Sequence, residues 1–422
     1  MRKFTFLLVF WFTITASFAV VKDTYNYPTR GENGRYSLTN NWIVSNVEGN
    51  FAANAPGGKW TVSGMATFEE NMYFINSELE ALVVVDGKTG QMIDTIKITG
   101  QLFEGRDERS RFDVKFDNIG HCLIGTYDEN YQMYLVYEVD LKTGAATVFL
   151  KEPASEWDDA VDEVALEVYG NVHYNACVML LNNESLVYRW SITGNIASSC
   201  EISGISVHDA DYNSIGVGNA PQICPEIGDG FNLFYADGQD IYPTIFAWED
   251  GDYVNWWSME DLQDLQIENN KGDVVTLEKA ASGIQSFRIG DEYFLIVSAT
   301  GSYSRSPADN TFALLSIDEN IDVESIKPLW YFPADGFGSS TKYVGCNISS
   351  VEVNDNVANI YLYSPENGYA RYEFKVGDSE NIEDGLEDVV LNNQSNIQKH
   401  LRNGQLLILR NGKACSVMGQ EM

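Results

Sequence analysis

Three turns of one design, spaced by about one supersecondary unit, constrain this chain more than any other feature. Residues 81–98 read ALVVVDGKTGQMIDTIKI, a strand-like run, a D-x-x-T-G turn and a second strand-like run. Residues 134–150 repeat the arrangement as YLVYEVDLKTGAATVFL, and residues 186–198 more loosely as LVYRWSITGNIAS. Their glycines, Gly90, Gly144 and Gly194, stand 54 and 50 residues apart. Repeats of this length are single supersecondary units that bury their faces by stacking on their neighbours.

Less regular turns continue the series at Gly251, Asn320 and Gly377. Ahead of each turn the same order recurs: an apolar strand, a short turn, a second strand, a polar loop and a third strand. Each unit therefore supplies four short antiparallel strands of alternating pattern, and no unit carries a long helix. Such units arranged around a ring make an all-β β-propeller, in which radial repetition leaves only short sheet edges. Six turns predict six blades, with seven as the alternative; two packed sandwich sheets fit the regular spacing less well. The segment RYSLTNNWIVSN (35–46) belongs to no unit and is expected to complete the last blade as its outer strand, so that both chain ends close the ring. The long interval between Gly251 and Asn320 holds WWSMEDLQDLQIENNKGD (256–273). Here Ser258 and Asp261 read as a capping box, and Met259, Leu262 and Leu265 recur at helical spacing, predicting a short inserted helix.

Charge restricts the partners. Lys and Arg number 27 against 61 Asp and Glu, a formal charge of -34, which repels polyanions. Nucleic acid and anionic membrane surfaces are not expected partners. With 44% apolar and 13% aromatic residues, the chain has ample material for a core.

The chain ends read as addresses. Residues 1–19 carry Arg2 and Lys3, a mostly apolar stretch from Phe4 to Thr15, then Ser17 and Ala19 at the spacing of a cleavage site, which reads as a secretory signal peptide. The predicted layout is a propeller over 20–377, an acidic linker over 378–398 and a small basic β-hairpin tail over 399–422. The tail's two Asn-Gly pairs, Asn403-Gly404 and Asn411-Gly412, favour tight two-residue turns. A secreted or outer-surface monomer is the expected location and state. Six cysteines without a CxxC pair argue against a zinc or disulfide framework, leaving room for one bridge, Cys200 to Cys224.

Two resemblances attach to quoted residues. At the D-x-x-T-G turns the chain is similar to the repeats of quinoprotein-like and related bacterial propellers, whose hairpins carry A-x-D-x-x-T-G-x-x-x-W. The resemblance implies the fold. The motif's tryptophan is replaced here by Asp94 or Thr95 after Gly90, and by Phe149 near the position after Gly144, so no quinone cofactor is carried over and none is expected. Residues Leu401 to Glu421, L-R-N-G-Q-L-x-I-x-R-N-G-K-x-x-x-V-x-G-Q-E, resemble the first half of the C-terminal sorting domains of the type IX secretion system. That implies a partnership with secretion machinery.

In a propeller the loops between blades and those between second and third strands emerge on one face, and the unusual clusters fall there. Arg106, Arg109 and Arg111 lie in a loop near the ring axis, where arginine can hold a carboxylate or sulfate in a bidentate contact. Trp157 can stack on a sugar ring while Asp158 and Asp159 bind its hydroxyls. His208 with Asp209 and Asp211 is a His-carboxylate cluster capable of acid/base work. Tyr303 and Arg305 occupy a second-to-third-strand loop, and Trp256 with Trp257 is placed in a between-blade insertion. Asp209, Asp211 and Asn213 copy the start of a calcium loop, but Ser214 and Ala220 fail its two demanding positions, so no metal is expected. No G-x-S-x-G, P-loop or G-x-G-x-x-G is present. A binding propeller for glycan or protein is the reading these residues favour; the alternative is a glycan-active hydrolase or lyase using carboxylates and His208 in the central funnel.

Overall fold

The computed structural model of the protein describes residues 20–58, 61–105, 111–155, 163–205, 216–226, 230–249, 252–259, 266–268, 274–276, 283–298, 310–338, 347–377, 397–402, 405–410 and 413–416. An opening strand, Tyr36–Ser45, precedes six antiparallel sheets. Blade 1 comprises Val62–Phe68, Asn71–Asn76, Ala81–Asp86 and Met92–Lys97. Blade 2 comprises Phe112–Phe116, Cys122–Asp128, Met133–Val139 and Ala146–Pro153. Blade 3 comprises Val164–Asn171, Asn175–Asn182 and Leu186–Thr193, with its outer edge in two pieces, Ile196–Ala197 and Glu201–Gly204. Blade 4 comprises Gln222–Glu226, Gly230–Gly238, Ile241–Glu249 and Asp252–Ser258. Blade 5 comprises Gln285–Ile289, Glu292–Ser298, Phe312–Ile317 and Lys327–Phe332. Blade 6 has Ile348–Asn354, Val357–Ser364 and Gly368–Val376, and takes its outer strand from Tyr36–Ser45. The innermost strands touch in the ring order 1, 2, 3, 4, 5, 6, 1, which closes a six-bladed β-propeller.

The repeated turns form for local reasons. Asp86 Oδ1 accepts from the amides of Lys88 (2.7 Å) and Thr89 (2.9 Å), and Gly90 closes the turn at φ 71°, a conformation that favours glycine. Asp140 and Gly144, at φ 73°, build the same turn in blade 2. Each turn leads into its blade's outer strand. At Gly377 the outer strand comes instead from residues 36–45, as expected from the unassigned opening segment.

The alternation expected of the strands takes an unexpected form. In Ala81–Asp86, Ala81 through Val85 are all buried. Val83 and Val85 pack toward blade 6, whereas Leu82 packs toward blade 2. Phe74 and Ile75 divide in the same way. The period of two is present, but it separates two cores rather than core from water. Among the described residues six apolar clusters fill the six seams between blades.

Two expectations are corrected, and a third lies mostly outside the described residues. The short helix expected from Ser258, Met259, Asp261, Leu262 and Leu265 falls largely on residues 260–265, which are not described; just beyond them Gln266–Glu268 pairs with Val274–Thr276 as a two-stranded ladder. Trp256 and Trp257 belong to the outer strand of blade 4 rather than to an insertion, and Trp256 sits half exposed at a bulge opposite Ile245 and Phe246. Cys200 and Cys224 are both free: Cys224 lies on an innermost strand against Ser286, whereas Cys200 flanks the outer edge of blade 3.

The chain divides after Gly377 into two compact units. The second unit is a three-stranded sheet, Ile397–Arg402, Gln405–Arg410 and Lys413–Ser416, rather than a single hairpin. Arg402 pairs with Gln405 and Arg410 with Lys413, the register of two-residue connections at both Asn-Gly pairs. The first of these strands begins inside the stretch read as linker. Among the described residues no helix is long and apolar enough to cross a membrane.

Candidate functional site

Polar side chains join the innermost strands of neighbouring blades at every seam. Ser63 Oγ donates to Phe112 O (2.8 Å) and accepts from its amide (3.0 Å), joining blades 1 and 2. Asp113 Oδ2 accepts from Leu166 N (2.8 Å) across the next seam. The Ala220 amide donates to Glu163 ahead of blades 3 and 4, and Ser286 donates through its amide to Cys224 Sγ between blades 4 and 5. Ser349 Oγ donates to Gly283 O (2.7 Å), and Thr67 Oγ1 meets Ser350 Oγ (2.7 Å) to complete the circle.

Charge is concentrated on one arc of this ring. Lys115 Nζ lies 3.3 Å from Glu167 Oε2, with Asp113 on the same strand, and all three are largely buried. Burial disfavours the Lys115 ammonium, but the carboxylates of Glu167 and Asp113 outweigh it and hold its pKa above the ordinary range. Burial pushes the Asp113 carboxyl up to about 6, against the opposing pull of Lys115 and the Leu166 amide. A carboxyl raised above its unfolded value of 3.8 stabilises the fold while protonated, and that contribution is lost as pH rises toward about 6. The wild-type unfolding midpoint should therefore fall relative to that of Asp113→Asn as pH rises over this interval. Parallel profiles would contradict the assignment.

A small pocket where the innermost strands of blades 2 and 3 begin is lined by Ser63, Arg111, Phe112, Asp113, Glu163, Val164, Pro221 and Gln222. Its interior volume is about 10 Å³, roughly one water molecule. Arg111 lines this pocket, and the carboxylate its Nε contacts is internal, Glu163 Oε1 at 3.1 Å. Glu163 in turn accepts from Ala220, so Arg111 helps tie blade 2 to the segments entering blades 3 and 4. Arg106, Arg109, Trp157, Asp158, Asp159, His208, Asp209, Asp211, Tyr303 and Arg305 lie outside the described residues.

The sequence reading missed a cluster on the opposite face. His121 stands in the turn between the first two strands of blade 2, His173 in the corresponding turn of blade 3, and Glu138 on the third strand of blade 2. One ligand-capable atom from each lies within 4.8 Å of the other two. Asp117 Oδ2 meets His121 Nδ1 at 2.7 Å and also accepts from Val172 N at 3.0 Å, spanning the seam. Burial raises the Asp117 pKa, but hydrogen bonds from His121 and from the amides of Val172, His121 and Ile119 prevail and keep it low. It is therefore ionised and accepts only, which places a His121 proton on Nδ1. His173 Nδ1 meets Asn195 Oδ1 at 3.2 Å, and its Nε2 faces Glu138 Oε1 at 2.8 Å. The contact with Glu138, then that with Asn195, raises the His173 pKa. One signal could have exposed the pair: two of only four histidines stand 52 residues apart, a repeat length.

Ring closure by the opening strand and the stapled axis define a six-bladed propeller. No protein-family model matches the chain, and no curated protein matches it. Among solved structures it is similar to a DUF4623 family protein from Bacteroides eggerthii, at 11% identity over 84% of this chain and 78% of that one, with a TM-score of 0.56. It is also similar to the PQQ-bound aldose sugar dehydrogenase from Streptomyces coelicolor, at 10% identity over 83% of this chain and 100% of that one, with a TM-score of 0.45. At these identities the likeness concerns the fold alone.

Proposed function

We propose that this chain is a non-catalytic binding propeller that recognises a glycan or a protein through its loop face. The observation that carries this reading is that Arg111, the candidate loop-face arginine among the described residues, is held by an internal carboxylate, Glu163 Oε1 at 3.1 Å, rather than poised for chemistry. A glycosidase needs two carboxylates about 5 to 9.5 Å apart across an open cleft, and catalysis of that kind is the alternative reading. Export rests on the signal-peptide pattern of residues 1–19, and handling by type IX machinery rests on the tail sequence; on that basis the propeller acts outside the cell or at its surface.

Glycan-array screening of the full chain tests the reading. At least one glycan class should be retained, and Trp157→Ala should weaken its binding about tenfold, the equivalent of 1.4 kcal/mol for a lost stacking contact. An empty array would remove the glycan form and leave protein recognition, to be sought with extracellular protein panels. Retained binding by Trp157→Ala would move the ligand away from that loop.

A further inference from the structure

We propose that His121, Glu138 and His173 bind a divalent transition ion, with zinc the reference, clamped across the seam between blades 2 and 3. This site lies on the face opposite the proposed recognition loops and is independent of them. Two imidazoles and one carboxylate are the donor set of three-ligand zinc sites that keep a fourth position open for water or another ligand. Imidazole suits zinc, copper, iron and nickel, whereas calcium and magnesium prefer oxygen ligands throughout.

The arrangement around the donors is already that of a metal site. Asp117 orients His121 through Nδ1 and Asn195 meets His173 at Nδ1, so both imidazoles can turn Nε2 toward the ion. Asp117 is itself fixed by the amides of Ile119 (3.0 Å), His121 (2.9 Å) and Val172 (3.0 Å), drawn from both blades. The histidine rings meet edge to face with centroids 4.4 Å apart. Zinc bonds of about 2.0–2.2 Å at tetrahedral angles place donor atoms about 3.3–3.6 Å apart. From a spread of at most 4.8 Å, side-chain rotation of the partly exposed donors suffices to close on the ion. The Nε2 of His173 already faces the Glu138 carboxylate at 2.8 Å, so two of the donors converge on one point.

The test uses the full chain, stripped with chelator and titrated with Zn²⁺, Co²⁺ and Ca²⁺ near neutral pH. One equivalent of Zn²⁺ should raise the thermal midpoint, and Ca²⁺ should not. Co²⁺ should develop visible ligand-field bands without thiolate charge transfer, which separates this site from the free thiols of Cys177 and Cys200. His121→Ala and His173→Ala should each weaken Zn²⁺ binding more than about 100-fold, and Asp117→Asn, a positioning change, by about 10–100-fold. Should an alanine variant fail to fold, Glu138→Gln supplies the same reading and should remove the cobalt bands. An unchanged midpoint and a featureless Co²⁺ spectrum would overturn the proposal and leave an imidazolium–carboxylate pair. Undiminished Zn²⁺ binding by the histidine variants would overturn it as well, by placing the ion elsewhere.

Discussion

Lys115→Met should lower the unfolding free energy by about 3–5 kcal/mol, because it strands two buried carboxylates without their cation. Lys115 reaches Glu167 at 3.3 Å on the innermost strand of blade 3 and stands two residues from Asp113. Each carboxylate was desolvated on folding, and the ammonium between them offsets that cost. Removing the ammonium leaves the desolvation in place. The double variant Lys115→Met/Glu167→Gln should recover most of the loss, since glutamine keeps an oxygen for the Val168 amide, which donates to Glu167 Oε1 at 2.9 Å. Urea unfolding with a common m-value would measure both. A single variant within about 1 kcal/mol of wild type would show that water reaches these carboxylates, since solvated ion pairs contribute only about that much.

Trp42→Ala should cost a similar amount, about 3–5 kcal/mol, through loss of the ring's closing contact. Trp42 lies on the strand that joins the two chain ends, and its indole packs over Gly90, where a Cβ would come within 2.7 Å of the ring. Its Nε1 donates to Gly87 O (2.7 Å), which also accepts from Arg371 Nη1 (3.0 Å). Tyr369 meets the same indole at a centroid distance of 5.6 Å. Trp42→Phe should retain most of the packing and lose about 1 kcal/mol for the missing hydrogen bond. Equal losses for alanine and phenylalanine would mean that the hydrogen bond, not the buried indole, holds the closure.

In blade 1 the D-x-x-T-G turn is covered by the Trp42 indole, which reaches it from the neighbouring blade. Sequence spacing could not reveal this, because residues 42 and 90 meet only after the ring has closed.

The turns were legible because they are governed within five residues: an aspartate to accept two amides and a glycine to take a positive φ. Blade number followed from counting them. The ladder just past the expected short helix was not legible, because the partner that makes Gln266–Glu268 a strand is supplied by Val274–Thr276. Of the candidate binding residues, Arg111 is the one described. Its internal partner could not be read from the sequence, because Glu163 lies 52 residues away.

By itself the sequence determined the repeat, the turn chemistry, the strand count and the need for a strand from the other chain end, all of which depend on local backbone preference and period. Only the tertiary structure decided which charges meet. Lys115 finds Glu167, Arg111 finds Glu163, and the His121 ring meets that of His173, each pair about one repeat apart. Blade packing superimposes equivalent positions of successive units, and no local rule carries that proximity.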